Sequence, residues 1–349
     1  MRALTTLPGK ANSLELSEVD EPEPAPGELL VDGLAVGVCG TDKEIVSGGY
    51  GWAPPGQQRL TIGHESLGRV ARAPEGSGFS AGDLVVGVVR RPDPEPCGAC
   101  GHGEFDMCRN GKYTERGIKE LSGYASQRWC VPADYAVRLD PSLTEVGVLL
   151  EPTSIVAKAW EQVLRVGTRA WFQPRRALVT GAGPVGLLAA LLGVQQGLEV
   201  HVLDRVTDGP KPGLVAELGA TYHSGDADEV ARSLRPDVVI EATGVDQVVF
   251  AAMSNTGSYG ITCLTGVSTA GRRIGTDLGG LNRDLVLEND VVIGSVNANQ
   301  RHYGQAAAAL VKADPGWLAR VITRRVPLSR FAEAFTAQPD DVKVVLAIE

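Results

Sequence analysis

The sequence predicts an α/β protein in which a doubly wound parallel sheet follows a region of short strands and turns. Residues 177–180 form an apolar strand pattern, a glycine-rich turn follows directly, and strand patterns then alternate with helical stretches. That alternation is typical of a parallel sheet with helices on both faces. The first half instead carries short β-branched runs bounded by proline and glycine, which favour strands and turns.

Length and composition indicate two ordinary domains. The chain has 349 residues, of which 43% are hydrophobic and 21% are charged. A final strand pattern at residues 342–346 suggests that the chain returns to its first domain. We therefore expect a catalytic domain at 1–170 and 301–349, and a dinucleotide-binding domain at 171–300.

Charge and hydropathy exclude several classes of partner. The net charge of −9 argues against nucleic-acid binding, which needs a basic surface. Apolar runs stay shorter than the roughly 18 residues that span a bilayer, and no signal-peptide core follows Met1. We expect no membrane partner and a cytoplasmic location. Six cysteines are too few for a disulfide scaffold.

The glycine-rich turn has the context of a dinucleotide-binding motif. Gly181 permits the tight turn, Gly183 lets the backbone approach a pyrophosphate, and Gly186 allows close packing of helix and strand. Pro184 and Val185 open the helix whose positive end would hold the phosphates. An ordinary turn between strand and helix is the structural alternative.

Two residues at the end of the next strand pattern bear on the choice of coenzyme. A carboxylate at Asp204 could accept both ribose hydroxyls of NAD and would repel the 2′-phosphate of NADP. Arg205 beside it is a residue type that clamps phosphates. We expect NAD to be favoured, with NADP as the alternative.

A sulfur, an imidazole and a carboxylate on well-marked segments predict a catalytic zinc site. The candidates are Cys39, His64 and Glu151, with Glu65 as a further ligand or an orienting group. A zinc ion with one open position acts as a Lewis acid on a carbon–oxygen bond. Thr41 could carry the substrate proton toward solvent.

A second cluster consists of Cys97, Cys100 and Cys108, a spacing that favours a metal in a reducing compartment. A closed zinc site needs four ligands, and three cysteines are present. The candidates for the fourth ligand are Asp93, Glu95, His102 and Asp106. A loop without metal is the alternative.

Together these motifs resemble the zinc-dependent medium-chain alcohol dehydrogenase superfamily. The resemblance rests on Gly63-His64-Glu65, the clustered cysteines, Glu151-Pro152 and the glycine motif, in that order. Segments such as residues 39–46, 115–118 and 294–297 are most similar to archaeal-type glucose dehydrogenases. The resemblance implies a GroES-like, β-rich catalytic domain beside a Rossmann-type domain.

The resemblance also implies a reaction and several site residues. It implies oxidation at C1 of an aldopyranose to a lactone, with zinc and NAD or NADP. The sugar contacts that it implies are Glu115, Glu151, Asn297 and His302, and Thr41 is a further candidate contact of the substrate. Further cofactor contacts are expected at Thr243, Gly244, Asn297 and Lys343. Glu115 could instead pair with Arg116 or Lys119, and His302 could be an ordinary polar residue at a helix start.

Other interpretations stay open at this point. Pro94 stands where the superfamily commonly has the first lobe cysteine, which weakens the case for four thiolates. A polyol, cyclitol or secondary-alcohol dehydrogenase would use the same zinc site. A dinucleotide-binding protein without activity would not need the zinc ligands. The strand pattern at residues 290–296 could extend a sheet across a two-fold axis, so we expect a homodimer or homotetramer.

Overall fold

The computed structural model describes residues 1–269, 271 and 274–349. The chain forms two compact units, of which the first contains Met1–Ser154 and Asn297–Glu349 and the second contains Ile155–Val296. The first unit is discontinuous, because the chain leaves it after Ser154 and returns at Asn297. The domain limits expected at 170/171 and 300/301 stay a prediction.

Strands dominate the first unit, and strands and helices alternate in the second. In chain order the strands are β1 (Arg2–Thr6), β2 (Glu15–Glu18), β3 (Glu28–Val38), β4 (Leu60–Thr61), β5 (Glu65–Arg72), β6 (Leu84–Gly87), β7 (Arg90–Arg91), β8 (Thr114–Arg116), β9 (Glu120–Leu121), β10 (Arg128–Pro132), β11 (Ala136–Arg138), β12 (Arg176–Thr180), β13 (Glu199–Leu203), β14 (Thr221–His223), β15 (Val238–Glu241), β16 (Ile261–Leu264), β17 (Val291–Gly294), β18 (Arg324–Pro327) and β19 (Val344–Ala347).

The α-helices before residue 150 are short, and longer ones follow. They are α1 (Gly40–Val46), α2 (Gly98–Gly101), α3 (Leu150–Gly167), α4 (Pro184–Gln195), α5 (Pro210–Glu217), α6 (Ala227–Leu234), α7 (Asp246–Ser254), α8 (Leu278–Glu288), α9 (Gln300–Lys312), α10 (Pro315–Val321) and α11 (Phe331–Phe335).

The first unit is built around β3. This strand pairs antiparallel with β5, β10 and β19, and the sheet order is β11-β6-β5-β3-β19-β18, with β10 also on β3. Two smaller sheets have the orders β2-β1-β4 and β7-β8-β9. The buried core of this unit includes Leu29, Val31, Tyr124, Trp129 and Leu346. Residues at the carboxyl end of β3 are therefore flanked by β5 and by β19.

The second unit contains a six-stranded parallel sheet of order β14-β13-β12-β15-β16-β17. This order places the first strand at the centre and reverses the winding beside it, as in a doubly wound dinucleotide-binding sheet. Helix α4 is apolar around most of its circumference, and its residues from Gly186 to Gly193 are buried. The predicted doubly wound sheet is confirmed. None of the described helices combines the length and apolarity needed to cross a bilayer.

Candidate active site

Three of the predicted metal ligands meet at the carboxyl end of β3. Cys39 follows this strand directly, and His64 and Glu65 lie at the start of its neighbour β5, where Gly37 pairs with Glu65. One ligand atom from each of the three residues lies within 4.8 Å of the other two. A thiolate, an imidazole and a carboxylate at such distances form a donor set that suits zinc.

Asp42 supports two of these ligands, although sequence reasoning did not single it out. Its Oδ2 accepts the backbone N–H of Cys39 at 2.9 Å, and its Oδ1 lies 3.3 Å from Nδ1 of His64. Burial alone would raise the pKa of Asp42, but His64 and the Cys39 N–H lower it overall. The signal in the sequence was the position of Asp42 three residues after Cys39, where an acidic side chain caps a helix.

His64 is buried, and its protonation depends on the same contacts. Burial lowers the pKa of His64, whereas Asp42 and Cys39 raise it and prevail, so that it lies well above its usual value. With Nδ1 directed at Asp42, the other ring nitrogen is the one available to a metal. This carboxylate–histidine pairing is typical of metal-ligating histidines.

Lys343, which the sequence predicts near the cofactor phosphates, contacts Glu65 within the first unit, and its cofactor role stays a prediction. It is 1% exposed, forms an ion pair with Oε2 of Glu65, and donates from Nζ to the carbonyl of Val38 at 3.2 Å. The reason is the strand order, because β19 begins beside Val38 on the opposite edge of β3 from β5. The contact crosses Gly37, where a Cβ would lie 1.9 Å from Oε2 of Glu65.

Glu151 lies at the start of α3, and it does not belong to the three-residue ligand group. Burial raises the pKa of Glu151 to about 7; His64 opposes this rise and Glu65 reinforces it. Tyr303 is also buried, and its hydroxyl accepts the N–H of Val89 at 3.3 Å. The roles of Glu151 as a ligand and as a sugar contact stay predictions, as does that of Thr41, which is half-buried in α1.

Glu115 is buried in a network of charged and amide groups. Its Oε1 accepts from Nε and Nη2 of Arg90 at 3.0 and 2.9 Å, and from Nδ2 of Asn297 at 2.6 Å. The antiparallel register of β7 and β8 places Arg90 opposite Glu115. The surface pairing with Arg116 or Lys119 that the sequence also allowed is therefore wrong. Arg90, which sequence reasoning did not assign a role, holds the carboxylate in a fixed orientation.

His302 lies in the first turn of α9 and is completely buried. Its Nδ1 accepts the N–H of Asn299 at 3.1 Å, while the Asn299 side chain donates to Oδ1 of Asp106 at 2.7 Å. Asn297, just before, adopts a left-handed backbone with φ of 63°. His302 thus accepts a backbone hydrogen bond at the start of a helix. Its contact with substrate stays a prediction.

The glycine motif in the second unit has the predicted geometry. Gly181 follows β12 with φ of 93°, and Gly183 is the N-cap of α4, whose first residue is Pro184. A Cβ at Gly186 would lie 1.8 Å from the carbonyl of Gly181, whereas a Cβ at Gly183 would meet nothing within 4 Å. Gly183 therefore leaves the backbone open, and the N–H groups of Val185 and the following residue lie at the positive end of the helix.

A groove of about 1000 Å³ runs past this turn within the second unit. Asp204 lies in it at the end of β13, and Lys211 from α5 donates to its Oδ2 at 3.1 Å. The N–H groups of Ala182 and Val206 donate to the same carboxylate at 2.7 and 3.2 Å. Burial would raise the pKa of Asp204, but these partners lower it overall. Arg205 is exposed at the groove.

Glu241, at the end of β15, organises another wall of the groove. This fully buried carboxylate accepts the backbone N–H groups of Thr243 and Gly244 and the hydroxyl of Thr180. Thr243 lines the groove, and Gly244 adopts φ of 64°. The predicted cofactor contacts Thr243 and Gly244 therefore lie on a loop that Glu241 holds in place. In the sequence, the position of Glu241 at the end of an apolar strand was the signal that could have identified this supporting role.

The three lobe cysteines also come together. The sulfur atoms of Cys97, Cys100 and Cys108 lie within 4.8 Å of one another, and all three are free thiols. The backbone N–H groups of Arg109 and Cys100 lower the pKa of Cys97 to about 6. A thiol that ionises this readily is suited to metal binding.

The four candidates for the fourth ligand have different partners. His102 contacts the carbonyl of Gly98 at 2.7 Å, Glu95 pairs with Lys112 at 3.6 Å, and Asp106 accepts from Asn299. Asp93 is buried, its Oδ1 accepts the N–H of Glu95, and its Oδ2 has no hydrogen-bond donor in the described part of the chain. Burial raises the pKa of Cys100, and the backbone N–H of Asp93 opposes this rise. Asp93 is thus the candidate with an unsatisfied buried oxygen, although it does not belong to the group formed by the three cysteines.

Two family models together match nearly the whole chain. The model for the glucose dehydrogenase C-terminus matches residues 144–348, and the model for the alcohol dehydrogenase GroES-like domain matches residues 25–141. The second match confirms the predicted GroES-like character of the strand-rich first unit. The first covers more than half of the chain.

Curated relatives and solved structures agree with these matches. The chain is 42% identical over 355 residues to glucose 1-dehydrogenase of Thermoproteus tenax, covering 100% of both chains. It is 41% identical over 357 residues to glucose 1-dehydrogenase of Methanocella arvoryzae, covering 100% of this chain and 99% of the relative. A structure of Haloferax mediterranei glucose dehydrogenase in complex with NADP, Zn and gluconolactone superposes with a TM-score of 0.92, at 32% identity and with 100% and 99% coverage. The chain therefore belongs to the glucose dehydrogenase family within the zinc-dependent medium-chain alcohol dehydrogenase superfamily, and it is an oxidoreductase that acts on CH–OH groups.

Proposed function

We propose that this enzyme oxidises C1 of glucose or a similar aldopyranose to the lactone and passes hydride to NAD or NADP. The observation that carries the proposal is the convergence of Cys39, His64 and Glu65, in a chain about two-fifths identical to glucose 1-dehydrogenases along its whole length. The solved relative that carries NADP, Zn and gluconolactone supports the same reaction.

Zinc fits the donor atoms that the first unit presents. Cys39, His64 and Glu65 would hold it, and Glu151 is a further candidate ligand or a contact of the sugar. When bound, zinc supplies Lewis-acid chemistry that makes the C1 hydroxyl a stronger acid. Asp42 keeps His64 oriented, and Lys343 holds the carboxylate of Glu65 in place.

The remaining residues would bind the sugar and move its proton. A sugar hydroxyl needs a hydrogen-bond partner when it leaves water, and the buried carboxylate of Glu115 can accept one. Asn297 and His302 are the further proposed contacts, and Thr41 is the proposed proton carrier toward solvent. Gly181, Gly183 and Gly186 would admit the pyrophosphate, and Asp204 and Arg205 would contact the adenosine ribose.

A steady-state assay tests this proposal. D-glucose, other aldoses, sorbitol and inositols are offered with NAD and with NADP, to the wild-type enzyme and to Cys39→Ser. Turnover of aldoses that is lost in Cys39→Ser supports the proposal. Cys130→Ser is the matched control, because this half-buried cysteine lies outside both ligand groups. Activity on polyols alone would identify a polyol or cyclitol dehydrogenase, and binding of NAD without turnover would identify a non-catalytic protein.

We also propose a structural zinc ion at Cys97, Cys100 and Cys108, with Asp93 as the fourth ligand. Its support is the mutual approach of the three sulfurs and the unsatisfied Oδ2 of Asp93. Metal analysis should find two zinc ions per chain in the wild type and one in Cys97→Ser. A single zinc ion in both proteins would contradict the structural site.

We propose a cytoplasmic enzyme that forms a homodimer or homotetramer. Free thiols at all six cysteines suit a reducing compartment. Strand β17 lies at the edge of its sheet, where a second copy could add strands. Light scattering of the purified protein would test the assembly.

A further inference from the structure

Two aromatic side chains lie exposed in the loop that follows α1 in the first unit. Tyr50 is 39% and Trp52 is 46% exposed, and their rings meet edge to face with centroids 5.0 Å apart. Aromatic side chains of this size usually leave water on folding, whereas this pair stays half in solvent. The sequence did not indicate a role for either residue, and the reaction proposed above uses neither.

Backbone hydrogen bonds fix Trp52 beside the strand that carries Glu115. The N–H of Trp52 donates to the carbonyl of Ile118 at 2.9 Å, and its carbonyl accepts the N–H of Glu120 at 3.0 Å. Trp52 thereby pairs with Lys119, whose backbone forms hydrogen bonds of 2.8 and 2.9 Å with that of Glu115. Paired strands lie about 4.8 Å apart, so the backbones of Trp52 and Glu115 are separated by about two such spacings.

The phenol of Tyr50 lies near the charged groups around Glu115. Burial raises the pKa of Tyr50, the Glu115 carboxylate and the Tyr113 phenol raise it further, and Arg90 opposes the rise. The guanidinium group of Arg90, which binds Glu115, also covers the ring of Tyr113 at 3.7 Å, and Nζ of Lys119 lies 4.3 Å from the centre of that ring. Aromatic rings therefore border a buried carboxylate whose orientation Arg90 fixes.

An exposed aromatic surface beside a fixed carboxylate fits a pyranose ring. Such a ring carries hydroxyl groups around its edge and C–H groups on its two faces. The face of an aromatic ring is electronegative and attracts polarised C–H groups, while a carboxylate accepts hydrogen bonds from hydroxyl groups. Small-molecule sites commonly combine aromatic walls with a few placed polar groups of this kind. A purely apolar ligand would gain nothing from the carboxylate of Glu115.

We propose that Tyr50 and Trp52 form an aromatic subsite that binds the C–H face of the aldopyranose whose hydroxyl group Glu115 accepts. This inference rests on the proposed function and names the residues that hold the ring of its substrate. The two aromatic rings contact ring carbons other than C1, so they bind the sugar equally well before and during hydride transfer. Binding of this uniform kind lowers KM and leaves kcat nearly unaltered.

Steady-state kinetics with D-glucose at saturating coenzyme test the subsite in the full-length enzyme. Trp52→Leu should raise KM roughly tenfold, the loss expected for an aromatic contact, and should change kcat by less than about twofold. Trp52→Phe should restore most of the affinity, because it returns a ring to the same place. Tyr50→Leu should raise KM as well, whereas Tyr50→Phe should not. Trp171→Leu is the matched control, since Trp171 is 82% exposed and belongs to the second unit.

Other outcomes would overturn the subsite. An unchanged KM in both Trp52→Leu and Tyr50→Leu would show that the sugar does not contact these rings, while the proposed function would stand. A fall in kcat with a lower melting temperature, and without a rise in KM, would show that the two residues only support the loop. If the wild type oxidises no aldose, the proposed function itself is wrong, and the subsite fails with it.

Discussion

Asp42 and His64 form a buried pair in which Oδ1 of the acid lies 3.3 Å from Nδ1 of the imidazole. The other oxygen of Asp42 accepts the N–H of Cys39, so that one side chain supports two predicted metal ligands. Outer-shell partners of this kind typically contribute about ten- to a hundredfold to metal affinity.

Asp42→Asn should therefore retain zinc about ten- to a hundredfold less tightly than the wild type, since it removes the charge that orients His64. Competition with a chelator, followed by metal analysis, measures the change. Asp32→Asn is the matched control, because Asp32 pairs with Arg128 at a partly exposed site. Equal zinc retention in both variants would contradict the supporting role of Asp42.

Lys343→Met should destabilise the metal-free protein by about 3–5 kcal/mol, because it leaves the buried carboxylate of Glu65 without its partner. Denaturant unfolding in the presence of a chelator measures this difference. Adding Glu65→Gln to the variant should recover part of the loss, since it removes the uncompensated charge. The control Lys312→Met replaces an exposed lysine, and a similar loss there would argue against the ion pair as the cause.

Two glycines of the cofactor motif should respond to alanine in opposite ways. Gly186→Ala should destabilise the second unit by about 1–3 kcal/mol, since its Cβ would overlap the carbonyl of Gly181. Gly183→Ala should unfold within about 0.5 kcal/mol of wild type, because its Cβ meets nothing. It should nevertheless bind NAD roughly tenfold more weakly, since the pyrophosphate needs that space. Calorimetry and denaturant unfolding together separate the two effects.

Alkylation of the cysteines should depend on pH in a site-specific way. The thiolate reacts, so labelling of Cys97 in zinc-free enzyme should rise as the pH passes about 6. Burial raises the pKa of Cys130 to about 11 and that of Cys263 to about 12, so these two should stay unlabelled at pH 7. Mass spectrometry after iodoacetamide treatment reports each site. Zinc should protect Cys97, and labelling that is indifferent to zinc would contradict the structural metal site.

Much of the fold could be predicted because local sequence patterns, such as apolar periodicity and the positions of glycine, indicate strands, turns and helices. The strand, glycine turn and helix around Gly181 need only short-range sterics and apolar periodicity, and the structure reproduces them. Cys39 and His64 could be proposed as ligands because each follows or precedes a strand in a glycine-bounded turn. The hydrogen-bond and ion-pair partners of these residues were harder to predict, because strand pairing determines which side chains lie close together.

The sequence by itself determined the class of each domain and the residue types of the metal and cofactor motifs, because period, glycine positions and donor chemistry are local properties. Tertiary structure decided which charges meet. Lys343 reaches Glu65 because β19 and β5 flank the same strand, and Arg90 meets Glu115 because of the register of β7 and β8. Lys211 likewise neutralises Asp204 only because α5 returns over the end of β13. A buried charge must find an opposite charge within a few ångströms, and only the folded chain defines those distances.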